Sequence, residues 1–193
     1  AAKEGDKSAI AKKAIEGLKK LKPSPLAGKD RADFITPANY DEHLSLLKEC
    51  DIVIEAIAER MDWKADLYAK VAPFLGEHTI FATNTSGLSI NQLAESCPAD
   101  ARSRFCGVHF FNPPRYMHLV EIIPCVTSNA EMLDNLERFL VTTLGKGVIR
   151  AKDTPNFVAN RVGVFSMLAT IANAEKYGVR FDVVDDLTGP RLG

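Results

Sequence analysis

A histidine and a glutamate in two neighbouring apolar segments are the first candidates for acid–base chemistry. His109 lies in the segment 107–111, and Glu121 lies in the segment 119–123. Histidine titrates near neutral pH and can accept a proton from a hydroxyl group. A carboxylate among apolar neighbours is costly unless it is paired, so Glu121 could orient the ring and stabilise its charged form. A histidine inside a strand is more often a satisfied core residue, and that alternative stays open on the pattern alone.

A second polar group follows another apolar segment. Asn84 and Ser86 lie directly after the segment 79–83. Ser86 could donate a hydrogen bond to a substrate oxygen, and Asn84 could bind a cofactor. Polar residues at such positions more often form turns and helix caps. The chain contains no GxSxG sequence, which argues against a serine hydrolase.

Charged residues surround a third apolar segment, 52–58. Glu59 follows it directly, and Lys64 lies on the predicted helix that comes next. Lys64 could contact a ligand, but a solvated charge on a helix surface is the more common role of such a lysine. Glu55 lies inside the apolar run itself, where a carboxylate is as unusual as Glu121, and the sequence suggests no role for it.

The elements that would position these residues alternate between strands and helices, which indicates an α/β fold. The nearly continuous β-branched run at 52–58 is typical of a parallel strand that is covered on both faces. In a doubly wound sheet, ligands bind at the carboxyl ends of the strands, where Glu59, Ser86 and His109 fall. Further strands are predicted at 34–36, 79–83, 105–111, 119–123 and 148–150.

Helix starts are predicted from capping signals. Asp6 would cap a first helix with an apolar stripe at residues 10, 14, 18 and 21, and other helices are predicted at 40–48 and 63–75. The remaining caps are Ser89 with Gln92, Ser128 with Glu131, and Thr154 with Pro155, the last starting a helix that runs to about residue 177. Because the pattern becomes purely helical there, we expect two domains, 1–152 and 153–193.

Composition excludes several classes of protein. Because 46% of the 193 residues are hydrophobic, a wholly disordered chain is excluded. The net charge is −1, so the chain lacks the excess of basic residues that would suggest a nucleic-acid partner. No apolar run approaches the roughly 20 residues needed to span a bilayer. The four cysteines form no CxxC pair and no zinc set, so we expect free thiols, a cytoplasmic protein and no metal site.

Four separate motifs together resemble one known family. They are Asn84-Thr85-Ser86, the segment GVHFFNP at 107–113, the segment LVEII at 119–123 and the segment KDTPNFVANR at 152–161. In order and spacing they look like the 3-hydroxyacyl-CoA dehydrogenase family, and the resemblance covers about residues 51–193. The closing segment 187–193 also resembles the dehydrogenase region of bacterial multifunctional fatty-acid oxidation proteins.

The resemblance implies NAD-dependent oxidation of an L-3-hydroxyacyl-CoA to a 3-oxoacyl-CoA in fatty-acid β-oxidation. By this resemblance, His109 is the general base, Glu121 holds it, Ser86 hydrogen-bonds the reacting oxygen, and Asn160 positions substrate and histidine. Three further positions match family contacts to the nicotinamide cofactor: Glu59, Lys64 and Asn84. The implied partners are an acyl-CoA substrate, a second copy bound through the helical domain, and an enoyl-CoA hydratase domain on the same chain.

The family's glycine-rich phosphate loop is not found in this sequence. No GxGxxG occurs among the 193 residues. We therefore expect an incomplete Rossmann-like doubly wound sheet that lacks its first strand-helix-strand, with an exposed edge at the strand 52–58 and the start of an all-α domain after it. Such an internal fragment would bind NAD poorly on its own. The alternatives are a non-catalytic CoA-binding, nucleotide-binding or structural relative, and another Rossmann dehydrogenase of the hydroxyacid class.

Overall fold

A single sheet flanked by helices organises the protein. The computed structural model describes residues 5–189 and 191; the first four residues of the predicted first domain, and residues 190, 192 and 193 of the closing segment, lie outside the described part. The strands are β1 (Ile52–Glu55), β2 (Ile80–Thr83), β3 (Phe105–Phe110), β4 (Leu119–Pro124) and β5 (Gly147–Arg150). The helices are α1 (Ala9–Leu18), α2 (Met61–Val71), α3 (Ile90–Glu95), α4 (Ala130–Thr142), α5 (Ala159–Lys176) and α6 (Phe181–Thr188).

The five strands lie side by side in their order along the chain. β1, β2 and β3 are parallel, β4 runs antiparallel to β3, and β5 is parallel to β4. The α/β, Rossmann-like class predicted from the sequence is confirmed, with one antiparallel pairing. That pairing places His109 directly opposite Glu121. The expectation of an open edge is also met, since β1 pairs only with β2 within residues 5–189 and 191.

Alternating side chains fill a core on each face of the sheet. On one face Phe81, Phe105 and Ile123 pack against α2 and α3. On the other face Ala82, Cys106 and Ile122 and their neighbours pack against α4. Because successive residues of β3 point to opposite faces, His109 shares the first face with Phe105. The histidine therefore lies at the end of a well-packed aromatic core.

Gly107 allows helix α3 to approach the sheet closely. A Cβ atom at this position would lie 2.8 Å from Ile90 Cδ1 and 3.1 Å from Ile123 Cβ. Both distances are shorter than ordinary van der Waals contact. Glycine is needed here because the first turn of α3 occupies the space that a side chain would fill.

Asp153 fixes the start of α3 from a distant part of the chain. Its Oδ1 accepts the Ile90 N–H (2.9 Å), and its Oδ2 accepts hydrogen bonds from the Ser89 hydroxyl (2.8 Å) and from the Asn91 N–H (2.9 Å) and side-chain amide (2.7 Å). Ser89 itself accepts the Gln92 N–H, which confirms the predicted cap. A carboxylate is a good acceptor at this helix end, where the first N–H groups lack partners.

We expect Asp153→Asn to lower the free energy of unfolding by about 1–3 kcal/mol at pH 7, because a charged acceptor of four hydrogen bonds is lost. Burial alone would raise the pKa of Asp153, but its hydrogen bonds from Asn91, Ile90 and Ser89 lower that pKa below its ordinary value. A lowered pKa in the folded state means that the stabilisation is present above about pH 4 and is lost as the pH falls through the folded-state pKa.

Urea unfolding at a series of pH values measures this difference. The gap between the original protein and the Asp153 variant should shrink towards acid pH. Asp100→Asn, at an exposed aspartate, is the matched control and should stay within about 0.5 kcal/mol of the original protein. A gap that stays constant down to pH 3 would show that the Asp153 charge does not stabilise the fold.

Two predicted elements near residues 34–48 are wrong. The predicted strand 34–36 is instead the end of a 3-10 helix, Lys29–Phe34, and the Phe34 side chain is largely exposed, so no packing holds it in a sheet. The predicted helix 40–48 is reduced to a 3-10 helix, Leu44–Glu49. Its first turn does not form because Asn39 Oδ1 accepts the N–H groups of Asp41 and Glu42 and closes a tight turn there.

Helix α1 also differs from its prediction. It begins at Ala9 and ends at Leu18, well before Pro23. Asp6 Oδ1 accepts the N–H of Ser8, which is the N-cap residue, so Asp6 lies two positions before the capping position that the sequence assigned to it. No residue of α1 is buried within the described part of the chain, and Ile10 of the predicted apolar stripe is 77% exposed.

Two predicted caps are displaced by long-range contacts. Helix α4 is capped by Asn129, which accepts the Met132 N–H, whereas Ser128 donates its hydroxyl to the Phe105 carbonyl. The helix predicted to start at Thr154 begins at Ala159. Residues 156 and 157 have positive φ angles of 63° and 49°, so the chain cannot be helical there.

The four cysteines are free thiols, as predicted. Burial raises the pKa of the Cys97 and Cys106 thiols to about 12, so both stay protonated at neutral pH. Within residues 5–189 and 191, no helix is long and apolar enough to cross a membrane. In that same part of the chain, no group of three or more His, Cys, Asp or Glu residues is arranged to hold a metal ion.

Candidate active site

His109 and Glu121 form a buried pair across β3 and β4. His109 Nδ1 lies 2.8 Å from Glu121 Oε2, and the two side chains are 5% and 0% exposed. A carboxylate can only accept a hydrogen bond, so Nδ1 carries the proton. In the neutral form of the ring the other nitrogen, Nε2, then carries a lone pair, and it makes no hydrogen bond within residues 5–189 and 191. This is the tautomer that a general base needs.

Aromatic rings hold the imidazole in place. The ring centroids of Phe111 and Phe157 lie 4.5 Å and 5.6 Å from the His109 centroid. Phe157 is itself fully buried, although it follows the last strand of the sheet. The rings exclude water from two sides of the histidine, which strengthens its electrostatic contact with Glu121.

Glu121 also binds the start of helix α5 with its second oxygen. Its Oε1 accepts the N–H groups of Val158 and Ala159, each at 2.9 Å. The side chain therefore acts as the cap that the sequence assigned to Thr154. Both carboxylate oxygens are satisfied, which explains how a fully buried glutamate is tolerated. Sequence reasoning paired Glu121 with His109 but missed this helix contact, because no local pattern connects residues so far apart.

Ser86 and Asn160 meet where the loop after β2 touches α5. Asn160 Nδ2 donates a hydrogen bond to the Ser86 carbonyl oxygen at 3.4 Å. The contact is close, since a Cβ atom on Gly87 would lie 3.2 Å from Asn156 Oδ1. The Ser86 side chain is exposed. Its hydroxyl is thus available to a ligand at the carboxyl end of β2.

Asn84 and Glu59 shape the same edge of the sheet. Asn84 Oδ1 accepts the Phe110 N–H at 2.9 Å, next to His109 in β3. Glu59 Oε1 accepts the N–H groups of Ser86 and Gly87. The structure thus brings Glu59, Asn84 and Ser86 to one loop cluster beside the His109 strand. Asn84 Nδ2 and Glu59 Oε2 make no hydrogen bond within the described part of the chain.

Lys64 lies beside Glu55 rather than beside Glu59. Its Nζ is 2.7 and 2.8 Å from the two Glu55 oxygens and 3.4 Å from the Ile57 carbonyl, and the side chain is 0% exposed. Lys64 is therefore not a solvated charge on the helix surface, which was the more common role expected from the sequence. A contact between this ammonium group and a cofactor would require it to leave Glu55.

Glu55 is the centre of a buried polar cluster at the end of β1. Besides Lys64, it accepts hydrogen bonds from the Tyr68 hydroxyl (2.9 Å), the Thr83 hydroxyl (2.7 Å) and the Ile57 N–H (2.6 Å). Burial raises the pKa of Tyr68 well above its ordinary range, so the phenol remains a donor. The cluster joins β1, β2 and α2 beneath the site. The sequence signal for this polar cluster was the presence of an acidic residue, Glu55, inside an otherwise apolar strand.

The groups at this edge fit the nicotinamide half of NAD. A carboxamide and ribose hydroxyls need accessible donors and acceptors, and half-buried Asn84 Nδ2 and exposed Glu59 Oε2 could supply them at the carboxyl ends of parallel strands. A pyrophosphate is usually held by a glycine-rich loop at a helix N-terminus. No GxGxxG occurs in the 193 residues, so these residues account for the nicotinamide end alone.

Comparisons of the chain with known proteins point to one family. The family described as "3-hydroxyacyl-CoA dehydrogenase, NAD binding domain" matches residues 2–154. A Deinococcus radiodurans protein named "Probable 3-hydroxyacyl-CoA dehydrogenase" is 41% identical over 188 residues, which are 97% of this chain and 54% of that protein. A Rickettsia prowazekii "Putative fatty acid oxidation complex trifunctional enzyme" is 42% identical over 188 residues, 97% of this chain and 26% of that protein.

Solved structures show the same fold. FadB2 of M. tuberculosis superposes with a TM-score of 0.75 at 26% identity, over 98% of this chain and 68% of that one. The 3-hydroxybutyryl-CoA dehydrogenase of Escherichia coli superposes with a TM-score of 0.68 at 34% identity, over 81% of this chain and 34% of that one. The chain spans about half the length, or less, of the curated relatives named above. From the site and these likenesses together, the chain belongs to the 3-hydroxyacyl-CoA dehydrogenase family of NAD-dependent oxidoreductases.

Proposed function

We propose that the protein carrying this chain oxidises an L-3-hydroxyacyl-CoA to a 3-oxoacyl-CoA with His109 as general base. One observation carries the proposal: His109 Nδ1 is bound to buried Glu121 at 2.8 Å, which leaves Nε2 to accept a proton. NAD, when bound, supplies the acceptor for the hydride that leaves C3 of the substrate. The names of the relatives support the substrate class.

Each proposed site residue has a distinct task. His109 Nε2 removes the proton of the 3-hydroxyl group, and Glu121 stabilises the imidazolium that results. Ser86 Oγ donates a hydrogen bond to the same substrate oxygen. Asn160 reaches the Ser86 loop from α5 and positions substrate and histidine. On the cofactor side we propose Asn84 and the free oxygen of Glu59, and Lys64 only if it leaves Glu55.

The wider context of the reaction is also a proposal. A role in fatty-acid β-oxidation, and a hydratase domain on the same chain, are supported by the relative named as a fatty acid oxidation complex trifunctional enzyme. A boundary between domains at 152 and 153 is supported by the family match, which ends at residue 154. A homodimer through the helical part is supported by exposed apolar side chains on α5, such as Phe165 and Leu168. The free thiols favour a cytoplasmic location.

Reduction of acetoacetyl-CoA by NADH is the direct test, followed at the NADH absorbance in the protein expressed from its complete gene. We expect turnover with the CoA thioester and none with free 3-hydroxy acids or 3-oxo acids in either direction. Turnover of the free acids alone would indicate a different hydroxyacid dehydrogenase. Binding of acetoacetyl-CoA without turnover would indicate a non-catalytic relative.

A separate titration addresses the cofactor. Because no GxGxxG occurs in these 193 residues, we expect them by themselves to bind NAD only weakly. Isothermal titration calorimetry with NAD measures this. A micromolar dissociation constant would contradict the expectation and would mean that the pyrophosphate is held by some other part of this sequence.

A further inference from the structure

The loop that carries Ser86 is organised by a single carboxylate oxygen. Glu59 Oε1 accepts the backbone N–H groups of Ser86 (2.9 Å), Gly87 (3.0 Å) and Leu88 (3.3 Å), and also the hydroxyl of Thr85. Three consecutive N–H groups converge on one oxygen, an arrangement that backbone loops adopt around anions. The conformation of residues 85–88 therefore depends on this carboxylate.

Glu59 holds the loop in its ionised form. Partial burial acts to raise the pKa of Glu59, but the hydrogen bonds from Thr85, Gly87, Leu88 and Ser86 outweigh it and lower the pKa below its ordinary value. Hydrogen bonds to a charged acceptor are stronger than those to a neutral one. At neutral pH the loop is bound to a full negative charge.

The position of this loop determines the position of Ser86. The Ser86 carbonyl accepts the Asn160 side chain at 3.4 Å, and the Ser86 N–H is bound to Glu59 at 2.9 Å. The residue is thus held on both sides of its backbone while its side chain is exposed. If the Glu59 bonds are removed, Ser86 keeps only the longer of the two contacts.

We infer that Glu59 is a positioning residue for Ser86, acting through its Oε1 to hold the hydroxyl where the reacting substrate oxygen lies. The inference rests on the proposed function, in which Ser86 donates a hydrogen bond to that oxygen. It is separate from a cofactor contact, because the cofactor would meet the other oxygen, Oε2. A residue that acts only through Ser86 has no effect on the reaction once the Ser86 hydroxyl is gone.

A double-mutant cycle on the protein expressed from its complete gene tests this. We expect Ser86→Ala to lower kcat for acetoacetyl-CoA reduction about 100-fold, as for loss of one donor to a reacting oxygen. Glu59→Ala should lower kcat at least about 10-fold at saturating NADH, and a rise in the KM for NADH beside that fall would report the separate loss of the proposed Oε2 contact to the cofactor. The double variant should lie within about threefold of Ser86→Ala alone. The inference would be overturned if the fall in kcat of the double variant equalled the product of the two single falls. It would also be overturned if Glu59→Ala raised the KM for NADH and left kcat unchanged.

Hydrogen exchange gives a second readout that does not depend on activity. In Glu59→Ala the amides of Ser86, Gly87 and Leu88 should exchange at least about tenfold faster than in the original protein. Glu77→Ala, at an exposed glutamate before β2, is the control and should leave their exchange unchanged. If Glu59→Ala does not fold, Glu59→Gln, which keeps an acceptor oxygen, replaces it with a smaller expected effect. Unchanged exchange would overturn the inference.

The two proposals fail in different ways. An unaltered protein that does not reduce acetoacetyl-CoA would overturn the proposed function, whatever the exchange data show. An active protein whose Ser86 and Glu59 variants act independently would overturn only the positioning role of Glu59.

Discussion

His109→Asn is expected to lower kcat for 3-hydroxyacyl-CoA oxidation by about 10²–10⁴-fold, the usual contribution of a general base. Asparagine can still donate a side-chain N–H towards Glu121, so the buried carboxylate keeps a partner. It offers no basic nitrogen in place of Nε2. The fold should therefore survive while proton removal from the substrate hydroxyl is lost.

Steady-state kinetics with NAD and a 3-hydroxyacyl-CoA measure this effect, and circular dichroism checks the fold. The KM for NAD should stay nearly constant, because His109 lies on β3 and its proposed contact is to substrate. His78→Asn is the matched control at an exposed histidine and should retain full activity. If His109→Asn keeps kcat within about threefold, the pair is a structural core pair rather than a catalytic one.

Lys64→Met is expected to lower the free energy of unfolding by about 3–5 kcal/mol, the largest stability effect proposed for this chain. Methionine matches the length of the lysine chain but leaves Glu55 buried without its cation. The remaining hydrogen bonds from Tyr68, Thr83 and Ile57 do not neutralise the charge. The cost arises from the unpaired carboxylate rather than from lost packing.

A second substitution separates those two causes. In the double variant Glu55→Gln with Lys64→Met, the charge is gone from both sides, and most of the lost stability should return. Lys70→Met, at an exposed lysine on the same helix whose ammonium group contacts only the Tyr40 ring within the described part of the chain, should change stability by less than about 1 kcal/mol. Urea unfolding monitored by Trp63 fluorescence provides the values. A double variant as unstable as Lys64→Met alone would show that packing, not charge, explains the loss.

The sequence predicted most of the sheet correctly because strands leave a local signature. The β-branched run before Glu55 and the apolar segments around His109 and Glu121 each indicate a strand without reference to the rest of the chain. The pairing of His109 with Glu121 was also predictable, since a buried acid demands a partner and His109 lies inside the neighbouring apolar segment. These predictions needed only local pattern and the cost of burying charge.

Helix starts were less predictable because distant residues decide them here. Thr154 and Pro155 are favourable locally, yet α5 begins at Ala159, where Glu121 provides the acceptor. Asp153 likewise caps α3, more than sixty residues earlier in the chain. The partner of Lys64 was missed for the same reason, since Glu55 and Glu59 are both close in sequence and only the fold selects between them. Three-dimensional contacts override capping preferences that are worth about 1 kcal/mol.

The two-sided contact of Glu121 has a consequence for how the protein matures on the ribosome. Glu121 is synthesised 38 residues before Ala159, so during translation its Oε1 has no helix to bind. A nascent chain that ends within β5 carries a carboxylate that is only half satisfied, and such a group favours solvent over the core. The Glu121 side chain that holds His109 therefore has both of its oxygens bound only after α5 has left the exit tunnel. Completion of the site is a late event in biosynthesis, later than closure of the sheet that contains both residues.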